Sequence, residues 1–415
     1  MRQTFEAFRR VLSFAGISIY AKRNSDSKLW LSFQIFNFII GVLSFIFTTT
    51  FVVKNYNDLL IFIEAACIWT TGVIMTISLG VCLMFRTKFR EFLTEMAFKD
   101  EMLSMPLVQY VWEIEEGEKM MELKGMVKDS QEKLLKLTRI LLKSYVASVW
   151  FVATLYLCGP IYEMCVREDE NLRLLAFDMW FPWSLQNFFV YVASFIFHAY
   201  AGYLCCIAYP GLQLTIFLLI GQVIRQLRIL SFILLNLNEI VNEIVRGHGD
   251  RWQDSCTAVL SQCVDHYIKL KSFSNRLNVI CRPFYLTLIL VAIILVGMCS
   301  VKIGISDKLS PDTMKYYVHE LCYILVVLMF CLLGQLVDNE CEQLENSVTE
   351  KWYIFDKQHK MDVRIFKMAL NQRMPIYIFG SIPLSLPTFT WVSNSEQSSE
   401  TTHRNIISET KEAMD

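Results

Sequence analysis

Seven long stretches of the chain are almost free of charged residues, and polar segments separate them. A helix needs about 20 apolar residues to cross the hydrocarbon core of a bilayer, which is about 30 Å thick. Runs of this length without alternation of apolar and polar residues are typical of helices rather than of membrane strands. The pattern therefore predicts an all-α membrane protein with seven transmembrane helices, over residues 30–53, 59–85, 140–166, 179–224, 283–301, 316–337 and 374–392.

The fourth stretch is too long for a single crossing, because its 46 uncharged residues would form about 69 Å of helix. Either the chain folds back at Tyr209-Pro210-Gly211, or one helix leaves the bilayer and is covered by protein. The second interpretation is favoured because apolar residues continue at steps of three and four, which is the spacing of a helix that buries one stripe. These residues are Leu227, Leu230, Leu234, Leu237, Val241 and Ile244, and then Leu260, Cys263, Tyr267, Leu270, Ser274 and Leu277. Two such helices should bury their stripes against each other or against a partner subunit; a plain hairpin without a role in assembly is the alternative.

The polar segments define the organisation of the chain. We expect a cytoplasmic segment 1–29, helices one to six within 30–337 with cytoplasmic helical extensions at 86–139 and 225–282, a cytoplasmic helix in 338–373, the last transmembrane helix at 374–392 and a polar extracellular tail at 393–415. Near the start, Phe5, Phe8, Val11 and Leu12 recur at helical spacing among charged residues. This pattern predicts an amphipathic helix on the inner membrane surface.

Positive charge gives the orientation. Thirty of the 39 Lys and Arg residues lie in segments 1–29, 86–139, 225–282 and 338–373, and eight lie in the alternate segments. Because segments rich in Lys and Arg stay in the cytoplasm, the N-terminus should be cytoplasmic and the C-terminus outside. A G-protein-coupled receptor has the opposite orientation, and its Asp-Arg-Tyr and Asn-Pro-x-x-Tyr motifs are missing from the sequence. The charge distribution therefore excludes that class.

The sequence contains no recognisable motif for catalysis, phosphate binding or a metal site. We therefore expect neither an enzyme nor a cofactor. The net charge of −1 is uninformative about nucleic acid, but the sequence shows no basic-aromatic module of the kinds that bind RNA or DNA, so we expect no nucleic-acid partner. Most of the 13 cysteines lie in the spans or in cytoplasmic segments and should be packing residues. Cys165 is the best placed for an external disulfide, and Cys299 could reach it only if spans three and five are adjacent.

Three ionisable residues within the apolar stretches are candidates for function, as such residues are in membranes generally. Glu64 and Glu320 lie near the outer ends of their spans. For each, solvation at the helix end is favoured over a role in a vestibule or ligand site. His198 is deeper, and a hydrogen-bonded packing residue is the favoured interpretation.

The most specific signal lies between residues 334 and 392. In order, it consists of Gly334-Gln335-Leu336, Leu344, Ser347, Lys351-Trp352-Tyr353, Asp356, Arg364, Met368, Gln372-Arg373, Pro375, Gly380 and Leu384-Ser385-Leu386-Pro387-Thr388-Phe389. This order resembles the C-terminal signature of the insect odorant receptors, which are seven-span ligand-gated cation channels. The number of spans, the orientation and the long fourth span are similar as well.

The resemblance implies a subunit that binds a small volatile organic ligand and gates a nonselective cation channel, in a hetero-oligomer, a tetramer, with the odorant receptor co-receptor. It also implies a multi-pass protein of the cell membrane, in the dendrite of a sensory neuron. A pocket among helices is mostly apolar and aromatic with a few polar groups. The candidates in the outer halves of the spans are Phe62, Trp69, Trp150, Phe151, Thr154, Phe188, Tyr191, Phe195, Tyr316, Glu320 and Tyr323. For any single aromatic residue, packing against neighbours or lipid is the alternative.

The last span lines the pore in the family, which implies Ser385, Thr388, Phe389 and Val392 as pore residues. The family also has an intracellular anchor where four subunits meet. Leu344, Val348, Trp352 and Phe355 share one helical face and are the implied subunit contacts. After Val392 the chain departs from the family pattern and stays polar, which weakens the pore assignment.

Two alternatives remain at this point. A gustatory receptor of the same superfamily usually carries a Thr-Tyr start and a Gln-Phe end in the last span, where Ile376-Tyr377 and Thr388-Phe389 stand here. A secondary transporter would show an inverted repeat or half-helices in the membrane, and the seven stretches show no repeat.

Overall fold

The computed structural model describes residues 2–20, 28–113, 117–167, 173–248, 252–305, 311–371, 373–374, 376–379 and 382–390. Over these residues the fold is all-α apart from one two-stranded hairpin. The elements are α1 (Arg2–Ser13), α2 (Lys28–Lys54), α3 (Leu59–Met84), α4 (Arg86–Leu93), α5 (Pro106–Glu113), α6 (Glu118–Arg167), α7 (Phe188–Leu235), α8 (Leu237–His248), α9 (Trp252–Ile305), α10 (Pro311–Thr349), α11 (Lys357–Leu370), β1 (Tyr377–Phe379) and β2 (Ile382–Pro383).

Within the described ranges, six helices are long and apolar enough to cross a membrane: α2, α3, α6, α7, α9 and α10. They overlap the first six predicted spans. However, α7 begins at Phe188 and not at residue 179, and α6 and α9 extend far beyond the spans predicted for them. We define the outer end of a helix as the end that the charge distribution predicts to face outside, such as Lys54 of α2 and Leu59 of α3. Asp58 begins α3 by accepting hydrogen bonds from the backbone of Leu60 and Ile61, which satisfies two free N–H groups of the first turn.

Helix α7 is the central helix of the fold. It runs without a break for 48 residues, about 72 Å, and passes through Pro210 without folding back. Nearly every residue from Cys206 to Leu227 is buried, with α6 and α10 among its neighbours. The prediction of one continuous long helix, covered by protein beyond Pro210, is confirmed. That this part leaves the bilayer stays a prediction.

Helix α2 shows how a bundle in lipid differs from a soluble one. Its buried residues are small or polar, whereas many of its large apolar residues are exposed at the outer surface of the bundle. The buried ones are Gln34, Asn37, Gly41, Ser44 and Thr48. Apolar side chains gain little by leaving lipid for protein, so small residues that allow close packing mark the inner face.

The N-terminal helix does not lie along the membrane surface as predicted. Phe8 is fully buried and its ring stacks on Tyr20 at 4.7 Å. Leu12 packs on α7 at Gly211, where a Cβ atom would lie 2.2 Å from the Leu12 Cδ2 atom. The amphipathic pattern correctly predicted a helix, but its apolar face, Phe5 included, is buried against the chain's own core instead of lipid.

Both predicted stripes of the cytoplasmic extensions lie inside the chain. Leu227, Leu230 and Val241 of the first stripe, and Cys263, Tyr267 and Leu270 of the second, are almost completely buried. A polar group is enclosed with them: His266 shares a hydrogen bond of 2.9 Å with Gln226, which in turn donates to the sulfur of Met96 at 3.3 Å. The stripes are therefore covered by this chain's own helices.

The predicted seventh transmembrane helix over 374–392 differs from the structure. In the described part of that segment, β1 pairs antiparallel with β2 and a short helical turn follows at 386–390. Pro383, in β2, accounts for part of the difference, since proline fixes φ and removes a backbone donor that a helix interior needs. Pro387 lies in the first turn of the short helix, where a proline is tolerated. The hairpin rests on α10 so closely that a Cβ atom on Gly334 would lie 1.8 Å from the carbonyl oxygen of Leu384.

Candidate functional site

The chain between α6 and α7 covers the outer end of the bundle with aromatic rings; we call residues 173–187 the lid. The backbone N–H of Trp180 donates to the carbonyl of Phe47 in α2 at 3.1 Å. The Trp183 indole N–H donates to the Ser194 hydroxyl of α7 at 3.0 Å. The Lys54 ammonium lies 3.7 Å from the centroid of the Trp180 ring. The lid is thus fixed to α2 and α7 by a few polar contacts and by ring packing.

Below the lid lies a cavity of about 40 Å³, which we call the lid cavity. Three helices and the lid form its wall, and most of the wall is apolar. The lining residues are Ser44 and Thr48 of α2, Ile68, Thr71, Gly72 and Met75 of α3, Phe177 and Met179 of the lid, and Ala201, Gly202 and Cys205 of α7. Ser44 and Thr48 belong to the small polar face of α2.

His198 is one turn from the lid cavity on α7 and is completely buried. Its ring packs on Phe181 at 5.3 Å and on Phe177 at 5.8 Å. Neither ring nitrogen has a hydrogen-bond partner among the described residues. His198 is therefore a packing residue, as predicted, but without the predicted hydrogen bond.

A cluster of charged and polar side chains lies at the outer ends of α3, α9 and α10. The Lys302 ammonium is 2.6 Å from the Glu64 carboxylate and 5.9 Å from the centroid of the Tyr316 ring. Beside it, Ser300 is 3.5 Å from the Glu320 carboxylate. Glu64 is thus paired with a cation instead of only being solvated at a helix end. Lys302 was not among the predicted site residues because it was counted with the external loop.

The eleven predicted pocket residues are divided among several places, and none of them lines the lid cavity. Phe151 and Phe188 are 65% and 61% exposed in the isolated chain, so they face outward and away from the lid cavity. The Trp69 indole donates to Thr49 at 2.9 Å, next to the cavity wall.

The others form separate groups. Trp150 packs on Tyr203, whose hydroxyl is 3.0 Å from that of Thr154. Tyr191 contacts Phe195 and donates to the lid at Leu174, at 2.8 Å. Tyr316 and Tyr323 are buried along α10, and Phe62 and Glu320 are half-buried. Apolar periodicity could not choose the inward faces, whereas the small polar residues of α2 would have identified two lining residues.

The predicted pore residues Ser385 and Thr388 hydrogen-bond to each other at 3.2 Å. The Thr388 hydroxyl also lies 2.7 Å from the Pro383 carbonyl. These hydroxyls are engaged within their own turn, and Phe389 is half-buried beside them. Val392 lies outside the described residues.

The predicted subunit contacts need correction. Leu344, Val348 and Phe355 are buried in the chain's own core, and the Phe355 ring stacks on Trp252 at 5.6 Å. Leu344 and Val348 lie on one face of α10, whereas the helix ends at Thr349 and Phe355 lies beyond it, so the predicted common face does not extend to Phe355. Almost no surface of these three side chains is left for a partner, because this chain's own residues cover them. The side chain of Trp352 lies outside the described part. The exposed apolar residues of the region are instead Tyr353, Ile354, Met361, Ile365 and Met368, on α11 and just before it.

A family model described as 7tm Odorant receptor matches residues 62–395. The fold is similar to that of the insect olfactory receptor OR5 from Machilis hrabei. Its complex with eugenol superposes with a TM-score of 0.78 over 98% of both chains at 12% identity. The structure of the same receptor without eugenol superposes with a TM-score of 0.76 over 97% of both chains, also at 12% identity. At this identity the similarity shows the fold alone. No curated protein matches the chain.

Proposed function

The chain belongs to the 7tm odorant receptor family, and from this premise we propose that it is a receptor subunit that binds a small, mostly apolar volatile and gates a nonselective cation channel. It is a multi-pass membrane protein of a family whose members are receptors and ligand-gated channels. The match to an odorant receptor model favours this function over a gustatory one.

The lid cavity is the observation that carries the proposal. It is lined by three membrane helices and an aromatic lid, as expected for a site that takes an apolar ligand. At about 40 Å³ it is far smaller than the roughly 150 Å³ that accommodate benzene in an engineered cavity. A ligand must therefore displace Phe177 or Met179, and the resulting movement of the lid is a direct route from binding to opening.

The hydroxyls of the cavity wall indicate the kind of polar group that the ligand carries. The Thr71 hydroxyl donates to the backbone carbonyl of Ile68 at 2.6 Å, and the Thr48 hydroxyl donates to the backbone carbonyl of Ser44 at 3.0 Å. Both oxygens retain lone pairs and can still accept. A ligand with a hydroxyl that donates, such as an alcohol or a phenol, fits this wall better than an ester of the same shape.

We further propose that the chain works in a hetero-oligomer with the odorant receptor co-receptor, in the dendrite of a sensory neuron. The apolar side chains of Met361, Ile365 and Met368 share one face of α11 and are 59%, 58% and 69% exposed. Exposed apolar surface of this kind on a cytoplasmic helix supports a contact with another subunit. Ser385, Thr388, Phe389 and Val392 remain our proposal for the contribution of this chain to the pore.

The test is the current in cells that express this chain together with the co-receptor. We expect an inward cation current in response to some members of a volatile panel that includes alcohols and their matched esters and alkanes. Cells with the co-receptor alone are the control. A panel that evokes no current although surface labelling detects the chain would overturn the proposal.

A further inference from the structure

Two cysteine thiols meet between α3 and α9. The sulfur of Cys67 is 3.8 Å from the sulfur of Cys299, and both thiols are free. The two residues are 2% and 0% exposed. A disulfide needs sulfurs about 2.0 Å apart. The two sulfurs would therefore have to approach each other by a little under 2 Å to form one. Cys165, which the sequence analysis named as the best placed cysteine for an external disulfide, is exposed on α6.

The thiols lie one helical turn below the outer ion pair. Glu64 precedes Cys67 by three residues on α3, and Lys302 follows Cys299 by three residues on α9. The Glu64 side chain is 36% exposed and that of Lys302 is 10% exposed. Water and small polar solutes therefore reach within about one turn, or roughly 5 Å, of the two sulfurs. The ion pair also holds the two helices side by side at this level.

We propose that Cys67 and Cys299 form an oxidisable pair, which hydrogen peroxide or a small organic hydroperoxide converts to a disulfide that fastens α3 to α9. One thiol attacks an oxygen of the peroxide and gives up its proton; the O–O bond breaks, and the leaving hydroxide or alkoxide takes up that proton to become water or an alcohol. The second thiol attacks the resulting sulfenic acid, the S–O bond breaks, and the hydroxyl leaves as water with the proton of the second thiol. The two thiols together lose two electrons, and hydrogen peroxide is reduced to two waters, or an organic hydroperoxide to an alcohol and one water.

Burial determines which oxidants act. A tripeptide thiol or a bulky disulfide cannot reach sulfurs that are 2% and 0% exposed, whereas a peroxide is about as small as two waters. The same burial protects the disulfide from large reductants once it has formed. The pair is thus selective for small oxidants.

The bond has a consequence for gating that rests on the proposed function. Ile68, next to Cys67, lines the lid cavity, and α3 forms one of its walls. A covalent link from α3 to α9 fixes this wall, so the ligand-evoked current should fall at least about twofold and recover after reduction with a small thiol. Formation of the bond itself does not depend on any current.

The decisive experiment uses the full chain in native membranes. The membranes are treated with hydrogen peroxide, free thiols are then blocked with N-ethylmaleimide, and the protein is digested and analysed by mass spectrometry without reduction. We expect a cross-linked peptide that joins the Cys67 and Cys299 segments and is released by dithiothreitol. It should be missing from Cys67→Ala and Cys299→Ala but present in Cys331→Ala, in which another buried thiol is removed.

Alkylation of both cysteines after peroxide treatment, or their oxidation without a cross-link, would overturn the proposal. A cross-link in a chain that gives no current with the co-receptor would support the thiol pair while contradicting the proposed function, so the two failures are separable. A peroxide effect on the current that persists in Cys67→Ala would show that another residue is responsible.

Discussion

The guanidinium of Arg225 lies against the carboxylate of Asp100, and the two side chains are only 3% and 4% exposed. Arg225 also donates to the Gln222 side chain at 2.9 Å and to the Val127 carbonyl at 3.5 Å. Arg225 thus connects α7 to α6 through Val127 and to the segment between α4 and α5 through Asp100. A buried charge is stable only with its partner and hydrogen bonds, so this contact fixes the position of α7 at the level of Arg225.

Removing one charge of that pair should destabilise the fold much more than removing both charges. Asp100→Asn leaves the guanidinium buried without its counter-ion, and we expect a loss of about 3–5 kcal/mol in the free energy of unfolding. The double variant Asp100→Asn, Arg225→Met should recover a large part of this lost stability. Thermal unfolding of the purified protein and its surface expression measure both. Equal stability of the single and the double variant would show that the two charges are not coupled.

The close approach of the last segment to α10 predicts that Gly334→Ala is disruptive. The new Cβ atom would lie 1.8 Å from the Leu384 carbonyl oxygen, which belongs to backbone and cannot rotate away. We expect the segment after Arg373 to detach, with trypsin cleavage at Arg373 faster by about 5- to 150-fold if the overpacking costs 1–3 kcal/mol. Gly297→Ala is the matched control, since its Cβ meets nothing within 4 Å. Equal cleavage of both variants would contradict the packing.

The lid cavity predicts a change of ligand range for Gly202→Ala. The added methyl would lie 3.1 Å from the Phe177 ring and narrow the cavity from the α7 side. Ligands that need the whole space should then require about 10-fold higher concentrations or more, because one methyl group in a close-fitting pocket has an effect of this size. Smaller ligands should be affected less. The concentration dependence of the current measures this, and Gly159→Ala, which meets nothing within 4 Å, is the control. A uniform shift for all ligands would argue against a site below the lid.

The sequence predicted long-range features of this fold better than local ones. Charge-free length identified six spans, and the apolar stripe that continues beyond Ile224 at steps of three and four favoured the continuous course of α7 over a fold-back at Pro210. The sequence could not identify the inward face of each helix, because in lipid both faces of a helix can be apolar. Phe151 and Phe188 were therefore chosen as pocket residues although they face outward. Leu344 and Val348 lie on one face of α10, as predicted, but periodicity cannot distinguish a face buried in the same chain from one buried against a partner.

His266 predicts a dependence of stability on pH. It lies in α9 well before residue 283, where the predicted span begins. Burial lowers its pKa to about 4, while nearby Glu101 opposes the shift and Lys269 and Arg225 add to it. Because the pKa is lower in the folded than in the unfolded chain, the unfolded chain takes up the proton more readily. The free energy of unfolding should therefore be highest above about pH 6.5 and fall by about 3 kcal/mol towards pH 4.

The matched variant for this test is His266→Gln, whose amide can still donate to Gln226. Unfolding followed by tryptophan fluorescence in detergent at several pH values should show a shallower loss of stability on acidification than in the native protein. Other buried histidines such as His359 remain in both proteins, so only the difference between the two curves reports on His266. Parallel curves would contradict the assignment.

The exposed apolar face of α11 predicts where assembly is most easily broken. Ile365 stands at the middle of this face, one turn from both Met361 and Met368, and is 58% exposed in the isolated chain. If the face is buried against another subunit, Ile365→Lys places an ammonium in an apolar contact, which typically costs an interface about 2 kcal/mol or more, or about 30-fold in affinity. Ile365→Leu keeps the apolar surface and should assemble normally. Co-purification of differently tagged subunits measures the interaction, and light scattering of each variant shows whether the chain itself remains folded and dispersed. Assembly that survives Ile365→Lys would place the subunit contact elsewhere, since a face this apolar cannot accommodate an unpaired cation without a loss of affinity.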